Sequence, residues 1–408
     1  MSESHTAFDI VVVGGGAAGI ASAAALRRAR PALRIAIVEP NEQHYYQPGW
    51  TLVGGGAMRA QQTATPEAEV IPDGCTWLKD RVTAFDPDQD RVTLERGGTL
   101  SYRYLVVAAG IQIDWQRIDG LEQALGNNGV TSNYRFDLAP YTWECVQQFS
   151  GGRALFTQPA MPIKCAGAPQ KILYLAADHW RRKGVSADIE FLNQGGAMFG
   201  VPLFAKALDG VMRDYGANAS FGHDLVAVDG PARVATFRRV EDGAEVTRPF
   251  DLLHVCPPQS APDFIKHSPL ANEAGWLEVD PASMRHPRYG NVFALGDCTN
   301  TPNAKTAAAV RRQFPVLVRN LCAAMDGTTP AAAYDGYGGC PLTTSRGKVM
   351  LAEFRYNGEV VPSFPFDPRK PRAAYWWLKR SFFPWLYWNV LLRGRDWHWP
   401  EPKPRQFS

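Results

Sequence analysis

Several things are scarce in this sequence, and each scarcity removes a class of protein. Charge of one sign is nearly absent: 43 Lys and Arg against 40 Asp and Glu leave +3 on 408 residues, too little for a nucleic-acid footprint. Cysteine is sparse and scattered. Its seven copies form no C-x-x-C pair and no Cys/His cluster, so neither a structural zinc site nor a secreted disulfide scaffold is expected. No uninterrupted apolar run approaches the ~20 residues of a spanning helix. No charged-then-apolar leader precedes the first apolar run at Ile10. What remains is an ordinary globular composition, long enough for two or three domains.

Phe8-Asp9-Ile10-Val11-Val12-Val13 reads as a buried parallel strand. Gly14-Gly15-Gly16-Ala17-Ala18-Gly19 follows it, then an Ala/Leu helix over 20–28 and a second strand over 34–39. In this βαβ setting Gly14 permits the tight turn, Gly16 the close approach of a pyrophosphate, and Gly19 helix–strand packing. Glu39 lies 25 residues after Gly14, near the spacing of about 20 expected of a ribose-binding acid. A glycine turn without ligand is the alternative. An irregular segment, His44-Tyr45-Tyr46-Gln47-Pro48-Gly49-Trp50, comes next. A short strand over 75–82 ends at Val82, at the expected adenine end. Leu105-Val106-Val107-Ala108-Ala109-Gly110 is a further buried strand. Far downstream, Asn291-Val292-Phe293-Ala294-Leu295-Gly296-Asp297-Cys298 closes a strand with Gly-Asp. A polar loop then leads into the helix Lys305-Thr306-Ala307-Ala308-Ala309-Val310.

The segment between, 151–283, has the strand–helix–strand plan of a second nucleotide domain but no second fingerprint. Gly167 is the only glycine between Phe156 and Gly184, and the second strand runs into Asn193-Gln194 without a ribose acid. That argues against NAD(P)H as electron donor. In the turn stands Pro162-Ile163-Lys164-Cys165-Ala166-Gly167-Ala168-Pro169-Gln170-Lys171. A helix N-terminus and two flanking lysines favour thiolate, so Cys165 is placed to react; the alternative is a small residue filling a turn. Tyr337-Gly338-Gly339-Cys340-Pro341-Leu342 holds a second turn cysteine, which alone reads as inert packing. Half of the 12 tryptophans fall in the last tenth of the chain, behind the basic cluster Arg369-Lys370-Pro371-Arg372. This tail reads as interfacial helices interrupted at Pro384, or as an aromatic arm packed on a dimer partner or on the protein's own core.

Taken together, the fingerprint, the two cysteine motifs, Gly296-Asp297-Cys298-Thr299-Asn300 and the aromatic tail resemble a sulfide:quinone oxidoreductase. The nearer type is the one of mitochondria and some bacteria, within the flavoprotein disulfide reductase superfamily. The resemblance implies an α/β fold with two Rossmann-like dinucleotide-binding domains and a C-terminal amphipathic membrane-surface segment. The FAD domain would be discontinuous, 1–150 and 284–330. The second domain would span 151–283 and carry Cys165, and a C-terminal region, 331–408, would carry Cys340. Noncovalent FAD would be held by Gly14, Gly16, Ala17, Ala18, Gly19 and Glu39, with Gln47, Val82 and Gly110. Gly296, Asp297, Lys305, Thr306 and Ala307 would complete the site.

By the same resemblance Cys165 and Cys340 are a catalytic, redox-active pair. Sulfide attacks Cys340, leaves a persulfide there and releases Cys165 as the thiolate that reduces the flavin. A small sulfur acceptor (thiol, sulfite or sulfide) removes the sulfane, and ubiquinone or a similar quinone takes the electrons at a membrane lipid surface. No nucleic acid and no metal take part, and homo-oligomerisation stays open. The missing mitochondrial presequence implies a monotopic protein of a bacterial cytoplasmic membrane, or of the mitochondrial inner membrane if processed. Competing readings are a type-II-like NADH:quinone dehydrogenase, sulfide oxidation coupled to a haem partner, and a non-catalytic FAD-binding membrane-associated protein.

Overall fold

Apolar runs with no polar face end up covered on both sides, and two parallel sheets built from such runs organise the chain. The computed structural model describes residues 6–396, 404 and 405; Trp397 and Trp399 of the tail lie outside the described residues. In the first sheet Cys75–Leu78, Ile35–Val38, Thr6–Val13 and Thr99–Val107 are neighbours in that order, all parallel. Thr99–Val107 is long enough to serve two partners on its other edge. Its start pairs antiparallel with Arg91–Leu94, and its end pairs parallel with Val292–Ala294. The late strand thus enters beside the early ones, which makes this unit discontinuous. Ile10, Val11, Val12, Leu105, Val106, Val107, Val292 and Phe293 are all fully buried there.

The second sheet is also parallel, in the order Val130–Thr131, Leu252–His254, Gly152–Gln158, Ala187–Asn193, Asn218–Phe221. Both of its ends lie earlier in the chain than the sequence indicates. Val130–Thr131 is already its edge strand, whereas Ala261, Ile265, Leu270 and Leu277 already pack in the first core. We propose boundaries near Gln112 and Ser260, where the short antiparallel pair Gln112–Ile113 and Gln259–Ser260 carries the chain across and back.

A hairpin, Gly338–Ser345 with Lys348–Phe354, follows the long helix Ala307–Met325. Side chains alternate across a strand, so its two faces go to different places. Cys340, Leu342, Met350 and Ala352 join the core of the second unit, under the helix Ala168–Lys183.

The tail is helical from Ala373 to Leu391 in alternating α and π turns. Pro384 does not interrupt it. It falls at the start of the turn Phe383–Leu386, where a missing N–H is tolerated, and the flanking Phe382, Phe383 and Tyr387 keep right-handed helical dihedrals. One face packs inward: Tyr375, Lys379, Tyr387, Val390 and Leu391 are buried, and Tyr387, Leu391 and Leu392 belong to the first core. The other face carries Trp377 and Trp385, 58% and 48% exposed. The tail is therefore a wall of the body with one outward stripe. Replacing Tyr387 with Ala should cost about 3–5 kcal/mol, the range for emptying a buried aromatic site; a denaturant midpoint unchanged from the parent would contradict this inward packing.

Candidate active site

The helix Ala17–Ala29 starts after Gly16 with no side-chain cap and no acid in its first turn. Its free amides face a cavity of about 500 Å³, within the range of about 300–1,000 Å³ typical of small-molecule sites. Gly14 has φ +104°, and a Cβ there would sit 2.5 Å from the Ala108 carbonyl oxygen, so the protein's own backbone requires glycine. Gly16 differs: a Cβ would meet nothing within 4 Å. Its side-chain space is cavity, which fits a close-lying pyrophosphate. Gly19 lies off the cavity and packs against Gly14. The Glu39 carboxylate accepts from Gly15 N (2.8 Å), Asn41 N (2.8 Å) and Asn41 Nδ2 (2.6 Å). These contacts hold it at the end of its strand, on the cavity wall.

Ala17, Ala18, Gln47, Gly110, Gly296, Asp297, Lys305, Thr306 and Ala307 line the same cavity as Gly14, Gly16, Glu39 and Cys165. Thr306 caps the long helix by accepting from Ala309 N. Burial pushes the Asp297 carboxyl up, and the nearby Lys305 and Lys164 ammoniums oppose that. Lys305 is occupied otherwise than expected. Its Nζ donates to the backbone oxygens of Asp297 (2.8 Å) and Thr299 (2.9 Å) and lies over the Trp276 ring, so it braces the loop. Val82 does not line the cavity. After Cys75–Leu78 the chain turns into an antiparallel meander in which Val82 pairs with Leu94, and its side chain is buried in the first core.

The turn before the helix Ala168–Lys183 puts Cys165 at φ +53°, a conformation costing roughly 1–2 kcal/mol for a residue with a Cβ. Two backbone bonds hold it there, Cys165 N to Lys305 O (2.8 Å) and Ala168 N to Cys165 O (2.7 Å). The loop of the Gly-Asp motif therefore grips the cysteine turn directly. Cys165 Sγ lies 3.1 Å from Cys340 Sγ, and Lys171 Nζ donates to it at 2.9 Å. Cys165 faces the cavity; Cys340 sits behind it, buried, beside Gly167, where a Cβ would come within 2.9 Å of the Cys340 sulfur. The Cys340 thiol donates to Cys165, and together with the Lys171 ammonium this holds Cys165 well below the ordinary thiol range against the effect of burial. The same bond, with burial, holds Cys340 well above it. Burial by itself would lower Lys171, but the two sulfurs outweigh it and the ammonium is held above its ordinary value.

A family model for pyridine nucleotide-disulphide oxidoreductases matches residues 8–141. Across 97% of its length the chain is 42% identical to a mitochondrial sulfide:quinone oxidoreductase of Mus musculus, spanning 88% of that protein. The chain belongs to the sulfide:quinone oxidoreductase family. A second mitochondrial member, from Dictyostelium discoideum, is 43% identical over 95% of this chain and 86% of its own. The crystal structure of the Aquifex aeolicus sulfide:quinone oxidoreductase superposes with a TM-score of 0.78, covering 96% of this chain and 92% of that one at 18% identity, which shows a shared fold.

Three buried groups around this family site carry no motif of their own. Lys379, 3% exposed, comes in from the tail; burial and then the neighbouring Lys171 push its ammonium down to about 7. His44 links the tail to the glycine turn. Its Nε2 meets the Tyr387 hydroxyl at 2.7 Å, and its Nδ1 lies 3.1 Å from both Glu67 Oε2 and Gly15 O. Glu67 is raised by burial, and its Oε1 is buried with no protein partner in a residue lining the cavity. That orphan oxygen fits a polar group of a bound cofactor. The one sequence signal for Lys379 is its spacing of four residues from Tyr375, neighbours on one helix face. The spacing of Tyr387 carries no such signal, and it shares the buried side with an intervening π turn, Leu378–Phe382.

Without the Lys171 charge the sulfur loses the cation that favours its ionised form, so Lys171→Met should raise the Cys165 pKa. The pH midpoint of Cys165 alkylation should move up by about 1–3 units; an unmoved midpoint would show that Lys171 does not set the thiolate.

Proposed function

We propose that this protein oxidises sulfide to sulfane sulfur and passes the two electrons through noncovalently bound FAD to a membrane quinone. The observation that carries this reading is the Cys165–Cys340 pair, sulfurs 3.1 Å apart with Lys171 on one of them, beside the cavity of the glycine turn. In the oxidised pair, hydrosulfide attacks Cys340 Sγ, the sulfur–sulfur bond breaks, and Cys165 leaves as thiolate. The better leaving sulfur is the one with the lower pKa, which is Cys165. A nucleophilic acceptor (a thiol, sulfite or a second sulfide) then takes the sulfane from Cys340 and leaves a thiolate there. Loss of two electrons from the two thiolates closes the disulfide again. FAD, when bound, supplies the two-electron acceptor between this pair and the quinone.

The glycine-turn amides, Glu39 and Asp297 would hold that cofactor by backbone donors and carboxylates, and the Ala307 helix end faces the same cavity. Phe364, Leu378, Phe382, Phe383 and Leu386 form an apolar wing of the cavity, three of them close in sequence to the exposed Trp377 and Trp385. A quinone enters there from the lipid, with the outward tail stripe resting at the headgroup level. No helix among the described residues is long and apolar enough to cross a membrane.

Anaerobic sulfide should bleach the flavin and added quinone should restore it. Cys165→Ser and Cys340→Ser should each keep the yellow cofactor and lose the bleaching. Ordinary bleaching in either variant would remove the cysteine mechanism. The double change Trp377→Ser, Trp385→Ser should move the protein from the vesicle pellet to the supernatant with its melting temperature kept; continued pelleting would count against the surface attachment.

A further inference from the structure

The alternation of the Cys340 hairpin has a second side. Directly opposed residues share a face, so Cys340 with Ala352 and Leu342 with Met350 point into the second core. Gly339 with Glu353 and Pro341 with Leu351 point the other way and line the cavity. Among the described residues, four carboxylates line that cavity: Glu39, Glu67, Asp297 and Glu353. Glu39 contacts the glycine turn, Glu67 is tied to that turn through His44, and Asp297 ends the Gly-Asp strand. Glu353 is on the hairpin with Leu351, beside the aromatic residues of the tail.

Glu353 is 4% exposed and has three donors. The Tyr337 hydroxyl donates to Oε1 at 2.5 Å, the Ser363 hydroxyl to Oε1 at 2.6 Å, and the Ser363 amide to Oε2 at 2.8 Å. Tyr337 is buried and lines the cavity, whereas Ser363 is half-buried at the outer end of the chain of bonds. Burial pushes the Tyr337 hydroxyl up, which keeps its proton available as a hydrogen-bond donor. Two hydroxyls thus converge on one carboxylate oxygen, a partly exposed one from Ser363 and one on the cavity wall from Tyr337.

We propose that Tyr337, Glu353 and Ser363 form the proton-delivery chain for the quinone, an inference that rests on the reading of this cavity wing as the quinone site. Reduction of a quinone to a quinol takes up two electrons and two protons. The electrons come from sulfide by way of the reduced cofactor. Solvent first delivers a proton through Ser363 to Glu353; the Tyr337 hydroxyl then turns to the quinone oxygen and passes its proton there, and Glu353 gives its proton to the tyrosine oxygen. The sequence runs twice per quinol. Positioned proton transfer of this kind accelerates a step by roughly 100-fold or more.

The test separates the two half-reactions of the FAD-loaded protein by stopped flow. Glu353→Gln should reduce its flavin with sulfide at the parental rate and reoxidise it with a short-chain ubiquinone about 100-fold more slowly. Reoxidation by ferricenium, which accepts electrons without protons, should stay at the parental rate. Tyr337→Phe keeps the ring and removes the hydroxyl, and should show the same split should Glu353→Gln fold poorly. Parental quinone rates in both variants would overturn the proposal. So would an equal loss with ferricenium, since that reports a structural defect. If sulfide fails to bleach the parent protein, the sulfide oxidation proposed above fails on its own; the quinone-versus-ferricenium comparison, run on dithionite-reduced flavin, still decides the role of Glu353.

Discussion

A buried ammonium placed against a half-buried sulfur constrains everything around it. Lys171 is buried and Cys165 stands on the cavity wall, and a charge held inside the protein is tolerated only as part of a pair with its other hydrogen bonds satisfied. The pairing makes Cys165 the anion. Cys340, beside it, is then the donor and is held above the ordinary thiol range. A second lysine entering the same space, Lys379, cannot be as basic as the first. Three separate parts of the chain supply these groups: the turn before a helix of the second unit, the hairpin, and the tail. The chemistry therefore exists only when the two sheets and the C-terminal region are docked together.

The hairpin divides that chemistry in space. Its alternation gives one face to Cys340 and the second core, and the other to the cavity that Cys165 shares with the apolar wing. The second unit keeps the sheet of a nicotinamide domain, but its turn is filled by the cysteine held by Lys305.

Much of this was legible in the residues. The strand–glycine–helix unit and Cys165 beside Lys171 follow from local pattern and short spacing, and the Gly-Asp strand joining from far downstream follows from the family resemblance. What was not legible depends on which side of an element faces inward. Lys379 reads as a lipid-facing cation because it stands among tryptophans; only docking of the tail shows that it shares the buried stripe with Tyr375 and Tyr387. Glu67 and Glu353 sit in no motif, and no periodic pattern links them to the partners they meet, His44 for the one and Tyr337 and Ser363 for the other. Val82 lies off the cavity, and a strand's end does not reveal whether the chain continues beside it or folds into a meander. The earlier start proposed for the second unit has no sequence signal of its own, since Val130–Thr131 is two residues long, too short to carry a periodic one.

The contact between Tyr387 and His44 joins residues 343 apart in the chain. Synthesis proceeds from the N-terminus, so His44 and Glu67 leave the ribosome long before their partner exists. Through most of translation the glycine turn is open on the side that the tail will cover, and the first core lacks Tyr387, Leu391 and Leu392. The stretch that shuts the cavity is made after both sheets. Cofactor entry thus has a natural window, after the two sheets have formed and before the tail settles, and the tail acts as the closing piece of assembly.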